Sequence, residues 1–412
     1  SLYSTYEYII YNLDKPLNYG DTMTLAFKQV LEAKGFDVKG NETEVVYNGT
    51  FIDNTALPGF GYQKKYEIQD EDLRLKFDLG PRIEKADRNE QQAVQFARSG
   101  SDSKGLLLDV IISTEAPQTA LTSGELIGHW HENDRNYFHY QTDQKIIHFY
   151  PFLSANYEVF RDSSQPPSSQ NMVNLEIFHH KGHEYNLDRM MEAMKMSLDY
   201  YGRHFSPYPY KHLRIAEFPR YNDFAQSLPG IIPFSESLGF IMHIQDQKDV
   251  DMAFYITAHE VAHQWWGMQL EAAHVKGQNM ILETLSQYAA MMVFKSKYSN
   301  QKMQQFLNLQ KDAYKKSKLK LKTTDPPLAL VESQSHIYYN KGALAMYEWM
   351  ECIGEKNVNK ALSNFLCDWH SFGGAKSKDR YATTLDLLQY FRAVTPDDQH
   401  YLIGDLFECG EE

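Results

Sequence analysis

An α+β fold is predicted by three features of this sequence of 412 residues. Residues 1–184 are dominated by alternating aromatic and β-branched side chains, a period typical of half-buried strands. From residue 185 onward the apolar side chains recur with the period of a helix. A hydrophobic share of 42% is enough for substantial cores. We therefore expect a β domain of packed sheets over residues 1–184 and a mainly helical domain over residues 185–412.

The strands of the first domain are predicted from period-two alternation bounded by turn residues such as Asn48-Gly49. The predicted segments are Tyr3 to Tyr11, Thr22 to Phe27, Glu44 to Phe51, Leu106 to Thr114, Lys145 to Pro151 and Val173 to His179. One further strand, His212 to Phe218, is predicted inside the helical half.

The helices of the second domain are predicted from apolar residues three and four apart. The predicted segments are Leu187 to Phe205, Phe254 to Trp266, Asn300 to Lys318, Tyr338 to Met350, Val358 to Trp369 and Thr383 to Ala393. Thr383 and Asp386 have the spacing of a capping box, which indicates a helix start.

The net charge of −13 argues against a nucleic-acid partner, which needs a basic surface, and favours either solubility or a cationic ligand such as a peptide N-terminus. Cys352, Cys367 and Cys409 are too few and too unevenly placed to form a disulfide framework. No apolar run reaches the ~18 residues that span a bilayer, so the chain as given is expected to be soluble. Because it starts at Ser1 without a signal-peptide pattern, we expect a processed chain or a piece of a longer one.

The chemistry is concentrated in residues 257–285. His259 and His263 are four residues apart, which puts both imidazoles on one face of a helix, within reach of one metal ion. Glu283 follows on a second helical pattern and is the best candidate for the third zinc ligand. Three protein ligands leave the fourth position to water, as in catalytic zinc sites, and Glu260 can act as the base. Glu271 and His274 are the alternative third ligands.

The segment HEVAHQWWG with a glutamate on the next helix resembles the aminopeptidase N family of gluzincin zinc metallopeptidases. Two other segments occur in the family's order. Pro233 to Phe240 falls where the family has its G-A-M-E-N segment, and Tyr339 to Ala343 is similar to the family's Y-x-K-G-A. The resemblance implies a thermolysin-like fold for residues 185–412 and one zinc ion per chain.

The resemblance also implies roles for individual residues and for the protein. Glu236 aligns with the glutamate that binds the substrate's free amino group, and Tyr339 with the tyrosine that stabilises the transition state. The implied function is a zinc-dependent aminopeptidase that hydrolyses the N-terminal peptide bond of peptides. The family separates the second histidine and the glutamate ligand by 18 residues. Here 19 residues intervene, and a loop around residues 271–278 is expected to absorb the extra one.

The segments PGIIPFSES and HEVAHQWWG are most similar to peptidase regions attached to bacterial membrane-transporter permeases. This similarity implies a bacterial protein and a permease partner in a longer, membrane-attached chain. It leaves open an alternative function, a peptide-binding or regulatory domain of a transporter with little or no turnover. A panel of aminoacyl amides, with and without a chelator, separates the two functions.

A second histidine cluster, His179 to His183, ends a predicted strand just before a helix. A zinc site needs convergent ligands with ordered partners, and this segment offers no defined ligand spacing. We therefore interpret it, from the sequence, as a polar strand end without a metal.

Overall fold

The computed structural model describes residues 10–32, 45, 49–59, 68, 70–80, 85–97, 105–166, 169, 172–220, 222–321, 324–377 and 379–410. It has the α+β fold that the sequence predicts, with sheets in the N-terminal part and helices in the C-terminal part. The strands are β1 (Thr50–Asp53), β2 (Asp109–Glu115), β3 (Thr119–Leu121), β4 (Glu125–Glu132), β5 (Arg135–Gln141), β6 (Pro151–Ala155), β7 (Glu158–Ser164), β8 (Val173–His179), β9 (His212–Phe218) and β10 (Ile231–Ser235).

The strands form three sheets within the described residues: β1-β6-β3, β2-β5-β4 and β10-β9-β8-β7. In the four-stranded sheet β7 pairs with β8 antiparallel, whereas β8, β9 and β10 run parallel. Neighbouring parallel strands end at the same edge of a sheet, so the residues that follow β8 and β10 lie near the end of β9.

The four-stranded sheet is covered on both faces. Alternate residues of its strands, such as Phe178 and Phe218, pack with Phe51 and Leu153 of the sheet β1-β6-β3. The intervening residues, such as Ile215, pack against the helices. Every residue of β9 is consequently buried, as expected for a strand with both faces covered.

The helices occupy the second half of the chain apart from one short helix. They are α1 (Glu71–Lys76), α2 (Leu187–His204), α3 (Met252–Ala262), α4 (Leu285–Lys297), α5 (Asn300–Leu321), α6 (Gly342–Ile353), α7 (Glu355–Trp369), α8 (Thr384–Val394) and α9 (Tyr401–Ile403). The described residues also contain three π-helical turns. Met280–Thr284 precedes α4, His336–Lys341 precedes α6, and Gly404–Glu408 follows α9.

Several predicted elements agree with the structure. Val173–His179 and His212–Phe218 are strands with the predicted bounds, and the predicted helix from Leu187 ends one residue earlier than expected. At the start of α8 the Asp386 carboxylate accepts a hydrogen bond of 2.9 Å from the Thr383 backbone N–H, as predicted for a capping box. Long periodic segments were predicted well because their period repeats many times.

Three predicted elements are wrong. Residues 22–27 are irregular and exposed, because their alternating side chains have no described partner strand to pair with. Residues 145–150 form only an isolated bridge between Leu106 and Ile146, and the strand begins at Pro151. The helix of the metal-binding segment ends at Ala262, four residues earlier than predicted. Most of the predicted strand Tyr3 to Tyr11 and half of Glu44 to Phe51 lie outside the described residues.

The predicted domain boundary between residues 184 and 185 coincides with the turn between β8 and α2. The four-stranded sheet takes β7 and β8 from before that turn and β9 and β10 from after it. The division into domains 1–184 and 185–412 therefore stays a prediction, with one sheet shared across it.

Among the described residues, none of the helices combines the length and the apolar character that crossing a bilayer requires. Cys352, Cys367 and Cys409 are free and exposed.

Candidate active site

Helix α3 contains His259 and Glu260, and His263 is the residue directly after its end. The helix is buried on nearly all sides, because α2 and α4 pack against it. Asp251 caps its N-terminus, where the carboxylate accepts a hydrogen bond of 2.9 Å from the Phe254 backbone N–H. A buried, capped helix holds its side chains in fixed directions, which a metal site needs.

His263 lies just past the last residue of α3, yet it keeps helical backbone angles of φ −62° and ψ −17°. His263 therefore still lies on the same face as His259, four residues earlier, although the helix ends before it. The Nδ1 of His263 lies 3.0 Å from the Trp266 carbonyl oxygen. A carbonyl oxygen can only accept, so Nδ1 carries the proton and Nε2 keeps a lone pair for a metal. Ser286 on α4 lies 3.1 Å from the same Nδ1.

Glu283 lies in the π-helical turn Met280–Thr284, directly before α4. Its Oε2 is 3.5 Å from His259 Nε2 and 3.3 Å from His263 Nε2. The two Nε2 atoms are 3.1 Å apart. One atom from each of the three predicted ligands therefore lies within 3.5 Å of the other two.

This donor set fits a zinc ion. A tetrahedral zinc ion with bonds of about 2.0–2.2 Å holds its ligand atoms roughly 3.3–3.5 Å apart. The two separations to Glu283 Oε2 fall in this range, and the 3.1 Å between the two Nε2 atoms is slightly shorter. The Oε2 atom of Glu283 is buried, and among the described residues it receives no well-aligned hydrogen bond. A buried carboxylate oxygen without a donor is costly unless a cation compensates it. His259, His263 and Glu283 are the residues that would hold the ion.

Of the three candidates for the third ligand, Glu283 has a carboxylate oxygen within 3.5 Å of both histidines. The Nδ1 of His274 is instead 3.2 Å from Gln278 Oε1.

Glu260 is buried beside the two histidines. Burial raises the pKa of its carboxyl group, and the charges of His263 and His259 lower it again in part. The backbone N–H of Ser227, in the segment before β10, donates a hydrogen bond to this carboxylate. A carboxyl group with a raised pKa next to a metal site is suited to exchanging protons near neutral pH.

The charges within the ligand set are strongly coupled. Burial alone would lower the pKa of His263, but the charge and hydrogen bond of Glu283 raise it to about 9. Burial acts in the opposite direction on Glu283, and the two histidines outweigh it, so the pKa of Glu283 lies well below its usual range. Glu283 is therefore ionised, as a metal ligand must be.

Tyr339 lies in the π turn His336–Lys341, and its ring centroid is 5.9 Å from that of His259. Burial is the largest cause of a raised pKa of its hydroxyl group, and the charge of Glu283 adds to it. Tyr339 consequently keeps its proton at neutral pH and can act as a donor.

Two contacts fix Tyr339 relative to Glu283. Thr284 Oγ1 donates a hydrogen bond of 2.7 Å to the Tyr338 carbonyl oxygen, which joins the two π turns. A Cβ atom at Gly342 would lie 2.5 Å from the same Oγ1, so only glycine permits this approach. Sequence reasoning found Gly342 as part of a motif but missed Thr284 and Ser286, which no spacing rule singles out.

Glu236 is not grouped with these residues. It follows β10, and its carboxylate lies with His180, His183 and Glu217 in a second cluster. The Arg220 backbone N–H donates a hydrogen bond of 3.1 Å to its Oε1. Among the described residues, no recorded contact joins Glu236 to His259, Glu260 or Glu283.

Comparisons with known proteins agree with this arrangement. Residues 185–389 match the model of the peptidase family M1 domain. Human endoplasmic reticulum aminopeptidase 2 is 25% identical over 201 residues, which are 47% of this chain and 21% of that protein. The segment 185–389 is therefore similar to peptidase family M1 domains.

The fold resembles solved structures of an M1 zinc metallopeptidase from Deinococcus radiodurans. One of them has a TM-score of 0.56 at 15% identity and covers 73% of this chain and 63% of that chain. A structure of a two-domain mutant bound to L-arginine has a TM-score of 0.55 at the same identity. The chain spans about a fifth of the length of the human relative and less than two thirds of the solved structures.

Proposed function

We propose that this chain is a zinc-dependent aminopeptidase that hydrolyses the N-terminal peptide bond of peptides. One observation supports the proposal above all. Three ligand atoms, from His259, His263 and Glu283, converge at the separations of a zinc site, with the carboxylate of Glu260 beside them. Three ligands leave a coordination position open, as catalysis requires.

The chemistry divides between the metal and the chain. When bound, a zinc ion polarises the scissile carbonyl group and lowers the pKa of a bound water. Glu260 takes the proton from the attacking water and hands it to the leaving amine. Its burial and its position next to His259 allow it to reach the water without occupying the metal.

Tyr339 donates a hydrogen bond to the oxygen on which negative charge develops. Its hydroxyl group keeps its proton because burial raises its pKa, so it is a donor throughout the reaction. The contact between Thr284 and the Tyr338 carbonyl oxygen holds the turn that carries Tyr339.

The restriction to N-termini is the least direct part of the proposal. The name of the human relative and the net charge of −13 support it, since an acidic protein suits a cationic peptide N-terminus. The assignment of the amino-group contact to Glu236 stays a sequence-based prediction, because Glu236 lies with a different set of side chains.

The alternative, a peptide-binding domain with little or no turnover, is not favoured, because the ligands are accompanied by a buried carboxylate in the position of a base. Attachment to a bacterial membrane permease stays a prediction that rests on the sequence similarity of two motifs. Neither the M1 domain nor the relatives test it.

The test is hydrolysis of a panel of aminoacyl fluorogenic amides by the purified chain, with and without a chelator. We expect turnover that a chelator abolishes and added zinc restores, and we expect His263→Ala to lose both the turnover and the zinc ion bound by His259 and Glu283. Peptide binding without hydrolysis in zinc-loaded protein would overturn the proposal. Equally rapid internal cleavage of N-acetylated peptides would leave a zinc peptidase but remove the restriction to free N-termini.

A further inference from the structure

A second cluster of metal-type side chains lies at the edge of the four-stranded sheet. His180 directly follows β8, Glu217 is in β9, and Glu236 directly follows β10. These three strands are parallel neighbours, so their carboxyl ends meet at one edge. Residues up to 56 positions apart in the chain are thereby brought together, and the inference drawn from them does not depend on the proposed peptidase function.

A tight turn adds His183 to this edge. The His183 backbone N–H donates to the His180 carbonyl oxygen over 3.1 Å, and Gly182 takes a positive φ of 89°. Glycine at this position of a turn is favoured because the left-handed region costs it nothing. The turn places both imidazoles on the same side, with ring centroids 6.0 Å apart.

The ligand atoms converge. One nitrogen from each histidine and one oxygen from each glutamate lie within 4.8 Å of one another. His180 Nδ1 is 3.3 Å from Glu217 Oε1, and His183 Nδ1 contacts the same oxygen. Ligand atoms of a tetrahedral zinc ion are about 3.3–3.5 Å apart, so small side-chain rotations suffice to form the site.

Hydrogen bonds orient the carboxylates. Glu217 Oε2 accepts a hydrogen bond of 2.6 Å from the His180 backbone N–H, and Oε1 accepts one from His183 Nδ1, whose proton a bound metal would displace. Glu236 Oε1 accepts from the Arg220 backbone N–H. The ring of Tyr157 stacks on His180 with centroids 5.6 Å apart, and its hydroxyl group donates to the Glu217 carbonyl oxygen. Such outer contacts orient ligands in metal sites.

The charge balance also favours a cation. The Glu217 side chain is fully buried, and a buried carboxylate is costly unless positive charge compensates it. Two carboxylates and two neutral imidazoles are together balanced by one divalent ion. Protonated histidines are the competing source of positive charge, and the two sources predict different metal contents.

We propose that His180, His183, Glu217 and Glu236 bind a second divalent transition-metal ion of the zinc type. Two imidazoles and two carboxylates are donors that such ions accept. Four protein ligands close the coordination sphere, so the role is structural: the ion clamps the ends of β8, β9 and β10. This assignment gives Glu236 a role different from the one predicted from sequence.

The experiment is elemental analysis of the chain after saturation with zinc and removal of the excess. We expect about two zinc ions per chain in the parent and about one in His183→Ala, with a lower Tm in that variant because bound metal stabilises the folded state. His243→Ala is the control, since His243 is an exposed histidine outside both clusters, and it should keep two. A zinc content that is the same in His183→Ala as in the parent would overturn the proposal.

Cobalt substitution of the unmodified chain covers the case in which His183→Ala does not fold. Two spectroscopically distinct cobalt centres support the proposal, and one centre that His263→Ala removes contradicts it. One centre that survives His263→Ala supports the second site while contradicting the proposed peptidase site. The two proposals can therefore fail separately.

Discussion

The two histidine–glutamate clusters of this protein are built by opposite means. His259 and His263 come from one turn of helix, and Glu283 joins them from the next helical segment. In the cluster at the sheet edge, the ends of three different strands supply the ligands. A helix brings residues four apart together by itself, whereas a sheet edge assembles residues only after its strands have paired.

The number of protein ligands also differs, and this difference predicts function. The helical cluster offers three ligands and a separate buried carboxylate, Glu260. The sheet-edge cluster offers four candidate ligands and no additional base among the described residues of its group. Open coordination is typical of catalytic sites and closed coordination of structural ones. Variants of the first cluster should therefore affect turnover, and variants of the second should affect metal content and stability.

The largest effect is expected for Glu260→Gln. An amide cannot take a proton from water, so we expect amide hydrolysis to fall by roughly 10²- to 10⁴-fold, the usual contribution of a general base. The zinc content should stay that of the parent, because Glu260 is not among the three ligands. Steady-state rates together with elemental analysis check this. Parent-like turnover in the zinc-loaded variant would show that another group acts as the base.

The next largest effect is expected for Tyr339→Phe. Removing one donor to the developing oxyanion typically costs about 10²- to 10³-fold in kcat. Tyr338→Phe is the matched control, because Tyr338 is the neighbouring residue on the same π turn and its backbone carbonyl contact to Thr284 is kept. We expect kcat to fall much more in Tyr339→Phe than in Tyr338→Phe. Similar values of kcat in the two variants would contradict a catalytic role for Tyr339.

The smallest effect on turnover, and the sharpest test of the comparison, is expected for Glu236→Ala. Because we assign Glu236 to the sheet-edge cluster, this variant should lower the zinc content from about two to about one. The sequence-based role predicts instead that both ions stay and that activity on free-amino substrates falls roughly ten- to a hundredfold, the loss of one charged hydrogen bond. Zinc content and the ratio of rates on free and N-acetylated substrates separate the two roles.

Glu217 was missed in the sequence analysis, although the sequence contains a weak indication of its role. Glu217 is a charged residue in the strand H-L-R-I-A-E-F, which is buried along its whole length. A charge in a strand with both faces covered needs a partner, and this requirement could have directed attention to the nearby histidines. From the sequence alone the partner was unknown, so the cluster His179 to His183 was interpreted as a polar strand end.

Features that depend on local spacing can be predicted from the residues alone. The helical period predicted α2, α5 and α7, and four-residue spacing paired His259 with His263. Glu283 could be chosen from sequence because it lies on the next helical pattern, although its Oε2 meets the two imidazoles only through the packing of α4 on α3. Local geometry recurs wherever the same spacing occurs, so it can be derived without knowing the rest of the chain.

Contacts between residues far apart in the chain depend on the tertiary structure. The parallel pairing of β8, β9 and β10 brings His180, Glu217 and Glu236 to one edge, where Glu236 joins the second cluster. Residues 22–27 are irregular despite their alternating pattern, and none of the described strands pairs with them. Strand pairing joins segments far apart in the chain, and its free energy depends on both partners, so a pattern read in one segment cannot specify it.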